Sequence, residues 1–120
     1  MYQTTVTPQT TSTDAWVTTA NQTVTAVHAR RIGLNDWIRD GAPFDTATGL
    51  AVAVGATGST IVRAGTRAHP LKGFFEIADI VETSRNSGIW KAGWTTDGLH
   101  PNATGYAAAY LGIDLSVFII

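Results

Sequence analysis

One helical pattern constrains this chain more than any other feature. Between residues 18 and 40, apolar side chains recur at mostly three- and four-residue spacings, and Gly41 and Pro43 then provide a stop. Gly33 in the interior and several threonines near the start lower the helix propensity, so tertiary packing must stabilise this segment. We therefore predict one long helix in a chain whose other elements are short.

The remaining segments predict a mixture of strands and helices. The β-branched run MYQTTVTP ends at Pro8 and predicts a strand over residues 2–7. Residues 49–65 alternate small and branched apolar residues around Gly-Ala-Thr-Gly, which favours a short hairpin. The segment FEIADIV, residues 75–81, fits either a core strand or a short helix. A C-terminal helix is predicted over residues 101–118, with Pro101 in its first turn and Gly112 as an interruption inside it.

Length and composition limit the classes of function. With 120 residues we expect a single domain over residues 1–120, and a net charge of -1 offers no field that would attract nucleic acid. The chain has no cysteine, and His28 and His69 lack metal-ligand spacing, so we expect neither a metal site nor a cofactor. No apolar run approaches the roughly 18 residues of a membrane span, and no signal peptide is recognisable, while the compartment stays open.

The stretch TTDGLHPNATGY, residues 95–106, carries the strongest chemical signal. Proline disfavours the helical conformation for the residue before it, so His100 should lie at the mouth of the C-terminal helix rather than inside it. Gly98 allows a tight turn in which the Asp97 carboxylate reaches Nδ1 of His100. An imidazole held in this way is suited to general-base catalysis. A lone Asp-x-x-His motif, however, more often marks a turn or a helix cap.

The surrounding sequence favours catalysis. DGLHPNATGYAAAY resembles the last sequence block of the SGNH hydrolases, also called GDSL lipases or esterases, and the segments TVTPQTTST, RIGLNDWIRDGAPFD and IADIVETSRNSGIWK resemble other parts of that family more loosely. The resemblance implies an α/β fold with a flavodoxin-like parallel sheet flanked by helices. It also implies hydrolysis of a small ester, often an acylated carbohydrate or lipid, with His100 as the general base and Asp97 as its orienting partner.

The family's nucleophile is not found in this sequence. No Gly-Asp-Ser segment occurs, and none of the serines at positions 12, 59, 84, 87 and 116 follows a strand in a nucleophile turn. The chain therefore resembles the C-terminal half of such an enzyme, for which we expect a complementary N-terminal half or self-association. A non-catalytic binding or assembly module derived from the family, for example on a viral or cell-surface fibre, is the alternative.

Several other residues receive structural assignments. Gly-Leu-Asn-Asp, residues 33–36, spells part of the family's oxyanion block but falls inside the helical pattern, so Asn35 is predicted to lie on an ordinary helix surface. Arg30 and Arg31 are predicted to belong to a solvated face. Trp90 and Trp94 offer flat apolar surface that would suit the lining of a substrate cleft, but core or rim packing is the favoured assignment. Arg85, Asn86 and Lys91 are predicted to form an exposed turn.

Overall fold

The computed structural model describes residues 1–119 and shows a mixed α/β chain of short elements. The strands are β1 (Tyr2–Thr4), β2 (Thr10–Ser12), β3 (Gln22–Val24), β4 (Phe44–Asp45), β5 (Leu50–Ala51), β6 (Ile61–Val62) and β7 (Gly73–Phe75). The helices are α1 (His28–Arg39), α2 (Ala78–Val81) and α3 (Ala103–Tyr110), followed by a 3₁₀ turn at Leu115–Phe118.

The N-terminal strand predicted over residues 2–7 is present only over Tyr2–Thr4, as β1, and it is parallel to β7. Tyr2 is in register with Gly73 and Thr4 with Phe75. Within residues 1–119, β1 has no neighbour on its other edge, and the remaining strands form a β2–β3 pair and a three-stranded β5–β4–β6 sheet, both antiparallel. The α/β class is thus correct, but no extended flavodoxin-like sheet is formed by the part of the chain that the structure describes.

The long helix is shorter than the sequence pattern predicted. It begins at His28, because residues 22–24 form β3 and pair with β2. The buried Gln22 amide also binds both backbone groups of Trp90, accepting from its N–H at 3.0 Å and donating to its carbonyl at 2.9 Å. These tertiary partners override the apolar spacing over residues 18–27. At the other end, Gly41 adopts φ +86°, which terminates the helix as predicted.

The other elements differ from the predictions in specific ways. In residues 49–65, β5 and β6 do not pair with each other, as a simple hairpin would require, because each pairs with β4. Residues 73–81 form both a strand and a helix, β7 followed by α2. The C-terminal helix ends at Tyr110, before Gly112, where an added Cβ would lie 2.3 Å from Cδ1 of Ile80.

The core is small and the molecule is thin. Ile77, Val81, Trp90 and Ala109 form the buried apolar cluster. The radius of gyration is 16.2 Å, and the shortest principal extent is only 17 Å. A compact domain of this length has a radius of gyration of about 13–14 Å. Large apolar side chains consequently stay exposed, including Leu111, which is 82% exposed.

The buried face of α1 is largely polar, which corrects two predictions. Asn35 is fully buried rather than on the helix surface, and its side chain accepts from the Val6 N–H at 2.7 Å and donates to the Val6 carbonyl at 2.9 Å. Arg31 is also buried, in an ion pair with the fully buried Glu82 at 2.9 Å, so it is not part of a solvated face. These two side chains anchor the segment that follows β1 against α1.

A second charged cluster joins α1 to α2. Arg39 lies 2.7 Å from Glu76, 2.9 Å from Asp79 and 3.0 Å from Asp36. In the segment predicted as an exposed turn, Arg85 is exposed, but Asn86 is partly buried and accepts a hydrogen bond from Arg39. Lys91 is also partly buried, contrary to the prediction.

Candidate functional site

Asp97 and His100 meet in one tight turn. Oδ1 of Asp97 accepts the backbone N–H groups of Leu99 and His100, each at 2.8 Å. Oδ2 lies 2.8 Å from Nδ1 of the His100 ring. Because one carboxylate binds both the backbone and the ring, the backbone of the turn and the direction of the imidazole are fixed together.

This contact assigns distinct roles to the two ring nitrogens. A carboxylate can only accept, so Nδ1 of His100 carries the proton and Nε2 is left as an acceptor in the neutral ring. The side chains of His100 and Asp97 are 64% and 52% exposed. The backbone N–H of His100, its ring and the N–H of Leu99 hold the pKa of the Asp97 carboxyl well below its usual range. Asp97 therefore stays ionised beside the imidazole.

The inner side of the turn is fastened by buried groups. The Thr95 hydroxyl donates to the His100 carbonyl at 2.7 Å and accepts from the N–H of Gly98 at 2.9 Å. The Gly98 carbonyl accepts from the Trp90 indole at 3.1 Å and from the Thr10 N–H at 2.9 Å. The turn is consequently attached to both the core and β2.

Gly98 is required by both conformation and space. Its φ of +74° lies in the left-handed region, where a side chain is strained. A Cβ at this position would stand 2.0 Å from the Thr10 carbonyl oxygen and 2.7 Å from Cζ2 of Trp16. The tight turn expected between Asp97 and His100 is therefore formed in contact with the β2–β3 unit.

Trp90 supports the turn in a way that the sequence did not reveal. Its assignment to the core is correct, since it is fully buried, but its indole N–H also reaches the Gly98 carbonyl. Gln22, 68 residues away, holds the backbone of Trp90. No local pattern marks this connection, because its members come from distant segments.

The helix after the turn begins at Ala103, two residues later than the start predicted at Pro101. Asn102, directly after Pro101, caps α3 by accepting from the Gly105 N–H at 3.1 Å. Its amide nitrogen donates to the Gly93 carbonyl at 2.7 Å. The histidine thus lies two residues before the cap of α3, with an extended backbone link to the helix.

A cavity of about 640 Å³ opens beside the histidine. Its walls come from the segment after β1, from the turn and from α3. Most of the lining is apolar or aromatic: it includes Leu99, Pro101, Tyr106, Tyr110 and Ile113, together with His100. The volume lies in the range of small-molecule sites. The ring of His100, which the Asp97 carboxylate orients, forms part of the cavity wall.

No serine of the described residues lines this cavity, although threonines 4, 5 and 7 do. Ser12 belongs to β2, the strand that contacts the turn, but its hydroxyl donates to the Asp14 carboxylate at 2.8 Å. Thr5 is also engaged, because its hydroxyl donates to Glu76 and accepts from two backbone N–H groups at the start of α2. The structure thus brings together the predicted base and its partner without a serine.

The other polar candidates have structural contacts. Nε2 of the buried His69 lies 2.8 Å from the Ala42 carbonyl, and its Nδ1 accepts from the Leu71 N–H. Residues 1–119 contain no cluster of three or more side chains with metal-ligating acid, imidazole or thiol groups. Across the same range, no helix has both the length and the apolar character needed to cross a bilayer.

Comparisons of the chain with family models, with curated proteins and with solved structures found no match. The geometry of the turn and of the cavity is therefore the basis on which a function can be proposed.

Proposed function

We propose that this chain is the C-terminal half of an SGNH-type serine ester hydrolase and supplies its general base, His100, and the orienting Asp97. The observation that carries the proposal is the 2.8 Å contact between Nδ1 of His100 and Oδ2 of Asp97, at the wall of an apolar cavity. A capping role alone would need only the Asp97 contacts with backbone N–H groups. The additional ring contact is what general-base catalysis requires.

The chemistry follows from the orientation of the ring. Nε2 of His100 takes the proton of a serine hydroxyl as the serine oxygen attacks the ester carbonyl, and the imidazolium then returns it to the departing alkoxide. Water enters in the same way to release the acyl group from the serine. Asp97, ionised because its pKa is held low, stabilises the imidazolium formed in each half-reaction.

The cavity favours a small ester with an apolar portion. Leu99, Pro101, Tyr106 and Ile113 offer surface to an acyl chain or to the face of a sugar ring. An acylated carbohydrate or lipid satisfies this description, as the family resemblance implies. The nucleophilic serine is proposed to come from polypeptide outside these 120 residues, because none of the described serines lines the cavity.

The free edge of β1 supports a partner of this kind. Parallel sheets are ordinarily covered on both faces and extended over several strands, whereas β1 pairs only with β7 among the described residues. We propose that β1 and β7 belong to a larger flavodoxin-like sheet that a complementary half, or a second copy of the chain, completes. The thin shape and the exposed apolar side chains of α3 support the same conclusion.

The test is ester hydrolysis by this chain with and without the polypeptide encoded directly before it in the same reading frame. We expect near-background turnover of a short-chain chromogenic ester by residues 1–120 alone. The joined protein should turn over, and a serine-directed phosphonate should label a serine outside residues 1–120. Labelling of a serine within the chain would overturn the missing-nucleophile proposal.

Two substitutions in the joined protein test the assigned roles. Asp97→Asn should reduce turnover on the order of 10⁴-fold, the loss known for this change in a serine-protease triad, and His100→Ala should be at least as damaging. The double variant should be little worse than His100→Ala alone, because the members of a triad act as a unit. Asp114→Asn is the matched control, since Asp114 caps the 3₁₀ turn through the Ser116 N–H without a histidine. Equal turnover of Asp97→Asn and Asp114→Asn would remove Asp97 from the site.

A binding or assembly module is the second candidate function, and the lack of a serine beside His100 among the described residues favours it. In that case the joined protein would not hydrolyse esters or react with the phosphonate. The apolar cavity would then serve to hold a ligand or a partner without chemistry.

A further inference from the structure

The loop between β2 and β3 packs against the turn that carries Asp97 and His100. This segment, residues 13–21, is called the Trp16 loop here. It places the Trp16 indole on Gly98, where Cζ2 of the ring lies 2.7 Å from the position of an added Cβ. Because Gly98 has no side chain, the ring lies directly against the backbone of the turn.

Hydrogen bonds hold both the ring and the backbone of Trp16. The indole N–H donates to the Thr10 hydroxyl at 2.9 Å, and the backbone N–H of Thr10 donates to the Gly98 carbonyl at 2.9 Å. The Trp16 carbonyl accepts the Gly93 N–H at 2.8 Å. The Gly93 carbonyl in turn accepts from the amide of Asn102, the cap of α3, at 2.7 Å. Trp16 is thus connected to the chain on both sides of the histidine, at Gly98 and at Asn102.

The backbone of the Trp16 loop is strained beside this ring. Ala15 and Trp16 adopt φ values of +55° and +61°, in the left-handed region that residues other than glycine seldom enter. Asp14 stabilises the loop in this form, because its carboxylate accepts from the Thr18 hydroxyl at 2.7 Å and from the Asn21 amide at 3.0 Å. Backbone strain persists only where surrounding contacts compensate for it, and it clusters at functional sites.

The indole acts on the turn and not on a ligand. Trp16 lines neither the cavity beside His100 nor a smaller one of about 250 Å³ that shares Leu99 with it. A ligand in either cavity contacts the turn without contacting the indole. Any influence of Trp16 on the site must therefore pass through the position of the turn.

We propose that Trp16 is a positioning residue for His100, which holds the turn on both sides of the histidine so that Nε2 is presented to the reacting hydroxyl. The reaction that this role serves rests on the proposed function, whereas the effect on the direction of the ring requires only this chain. A purely structural contact would contribute to stability and leave the imidazole where it is.

The first experiment records the imidazole ¹⁵N and ¹H signals of the 120-residue chain. Trp16→Phe removes the indole donor and the ring atoms nearest Gly98, so it should shift the Nδ1 and Nε2 signals of His100. Unchanged signals of the buried His69 would verify that this variant is folded. Trp37→Phe is the matched control, because the indole of Trp37 is also half-buried and donates to two backbone carbonyls outside the turn.

A second pair of variants moves the indole without altering it. Ala15 is exposed, so substitutions there remove no buried side chain. Ala15→Gly accepts the left-handed backbone freely, whereas the β-branched side chain introduced by Ala15→Val opposes it. Ala15→Val should therefore displace Trp16 and shift the His100 signals, and Ala15→Gly should not. This pair decides the question should Trp16→Phe fail to fold.

The final measurement is turnover by the protein joined to its upstream polypeptide. Because Trp16 does not contact the cavity, Trp16→Phe should leave KM unchanged and lower kcat by up to about 10²-fold, the loss that a displacement of about 1 Å causes. Trp37→Phe should change neither. Equal His100 signals in Trp16→Phe and Trp37→Phe, or in the two Ala15 variants, would overturn the inference, as would an unchanged kcat in an active joined protein. An inactive joined protein whose His100 signals still respond to Trp16→Phe would refute only the proposed hydrolase.

Discussion

Replacing Gly98 by alanine should destabilise the chain more than an ordinary glycine substitution. The left-handed backbone, with φ of +74°, costs alanine about 1–2 kcal/mol. The new Cβ would also lie 2.0 Å from the Thr10 carbonyl oxygen, so β2 and the turn must separate. Overpacking of this kind costs about 1–3 kcal/mol. We therefore expect the free energy of unfolding to fall by about 2–5 kcal/mol.

Gly93→Ala provides the matched control. Gly93 has nearly the same backbone angle, φ +73°, but nothing lies within 4 Å of the position of its added Cβ. Only the conformational cost of about 1–2 kcal/mol applies there. The difference between the two variants isolates the steric contact between the turn and β2.

Urea unfolding monitored by tryptophan fluorescence measures both costs. The imidazole ¹⁵N shifts of His100 in the same variants report whether Nδ1 keeps its proton on the Asp97 side. Gly98→Ala should disturb these shifts and Gly93→Ala should not. Equal stabilities of the two variants would refute the packing of the turn against Thr10, and undisturbed ring signals would refute its control over the histidine.

Three further predictions concern the buried and ionised groups. The pKa of Asp97 is lowered in the folded chain, so its contribution to stability is present above pH 4 and is lost as the pH falls below that value. The difference in free energy of unfolding between the unaltered chain and Asp97→Asn, measured by urea titration, should therefore shrink between pH 5 and pH 2.5. An unchanged difference would contradict this prediction. Glu82→Gln leaves the charge of Arg31 buried without its counter-ion and should cost about 3–5 kcal/mol in urea unfolding, whereas a loss under 1 kcal/mol would mean that solvent reaches the pair. Trp90→Phe keeps an aromatic ring in the core but removes the indole N–H that donates to the Gly98 carbonyl. Beyond any repacking cost, the free energy of unfolding should fall by about 1 kcal/mol, and the His100 ring signals should shift. Unaltered ring signals would show that the indole does not position the turn.

The local features of the site were predictable because their partners lie within a few residues. Asp97, Gly98 and His100 form a turn whose hydrogen bonds span two or three residues. The sequence also indicated a helix after the turn, although α3 begins at Ala103, two residues after the predicted start at Pro101. Such contacts depend on backbone conformation and short-range geometry, which residue types specify directly. Their catalytic role stays a prediction.

Helix α1 is an element whose start could not be predicted from the local apolar pattern. The apolar spacing over residues 18–40 predicted its C-terminal half and its stop, but not the strand at residues 22–24. That strand is held by β2 and by the contact of Gln22 with Trp90, 68 positions away. A propensity difference of a few tenths of a kcal/mol per residue is readily overridden by such pairing.

Tertiary structure alone decided which polar residues are buried and where cavities lie. Arg31 and Asn35 looked like surface positions, yet they face Glu82 and the Val6 backbone, partners 51 and 29 residues away. The sequence by itself determined the oriented pair of Asp97 and His100, because that pair is closed within one turn. The cavities beside it depend on distant segments converging, and the free energy of that convergence comes from burial and pairing that no local pattern encodes.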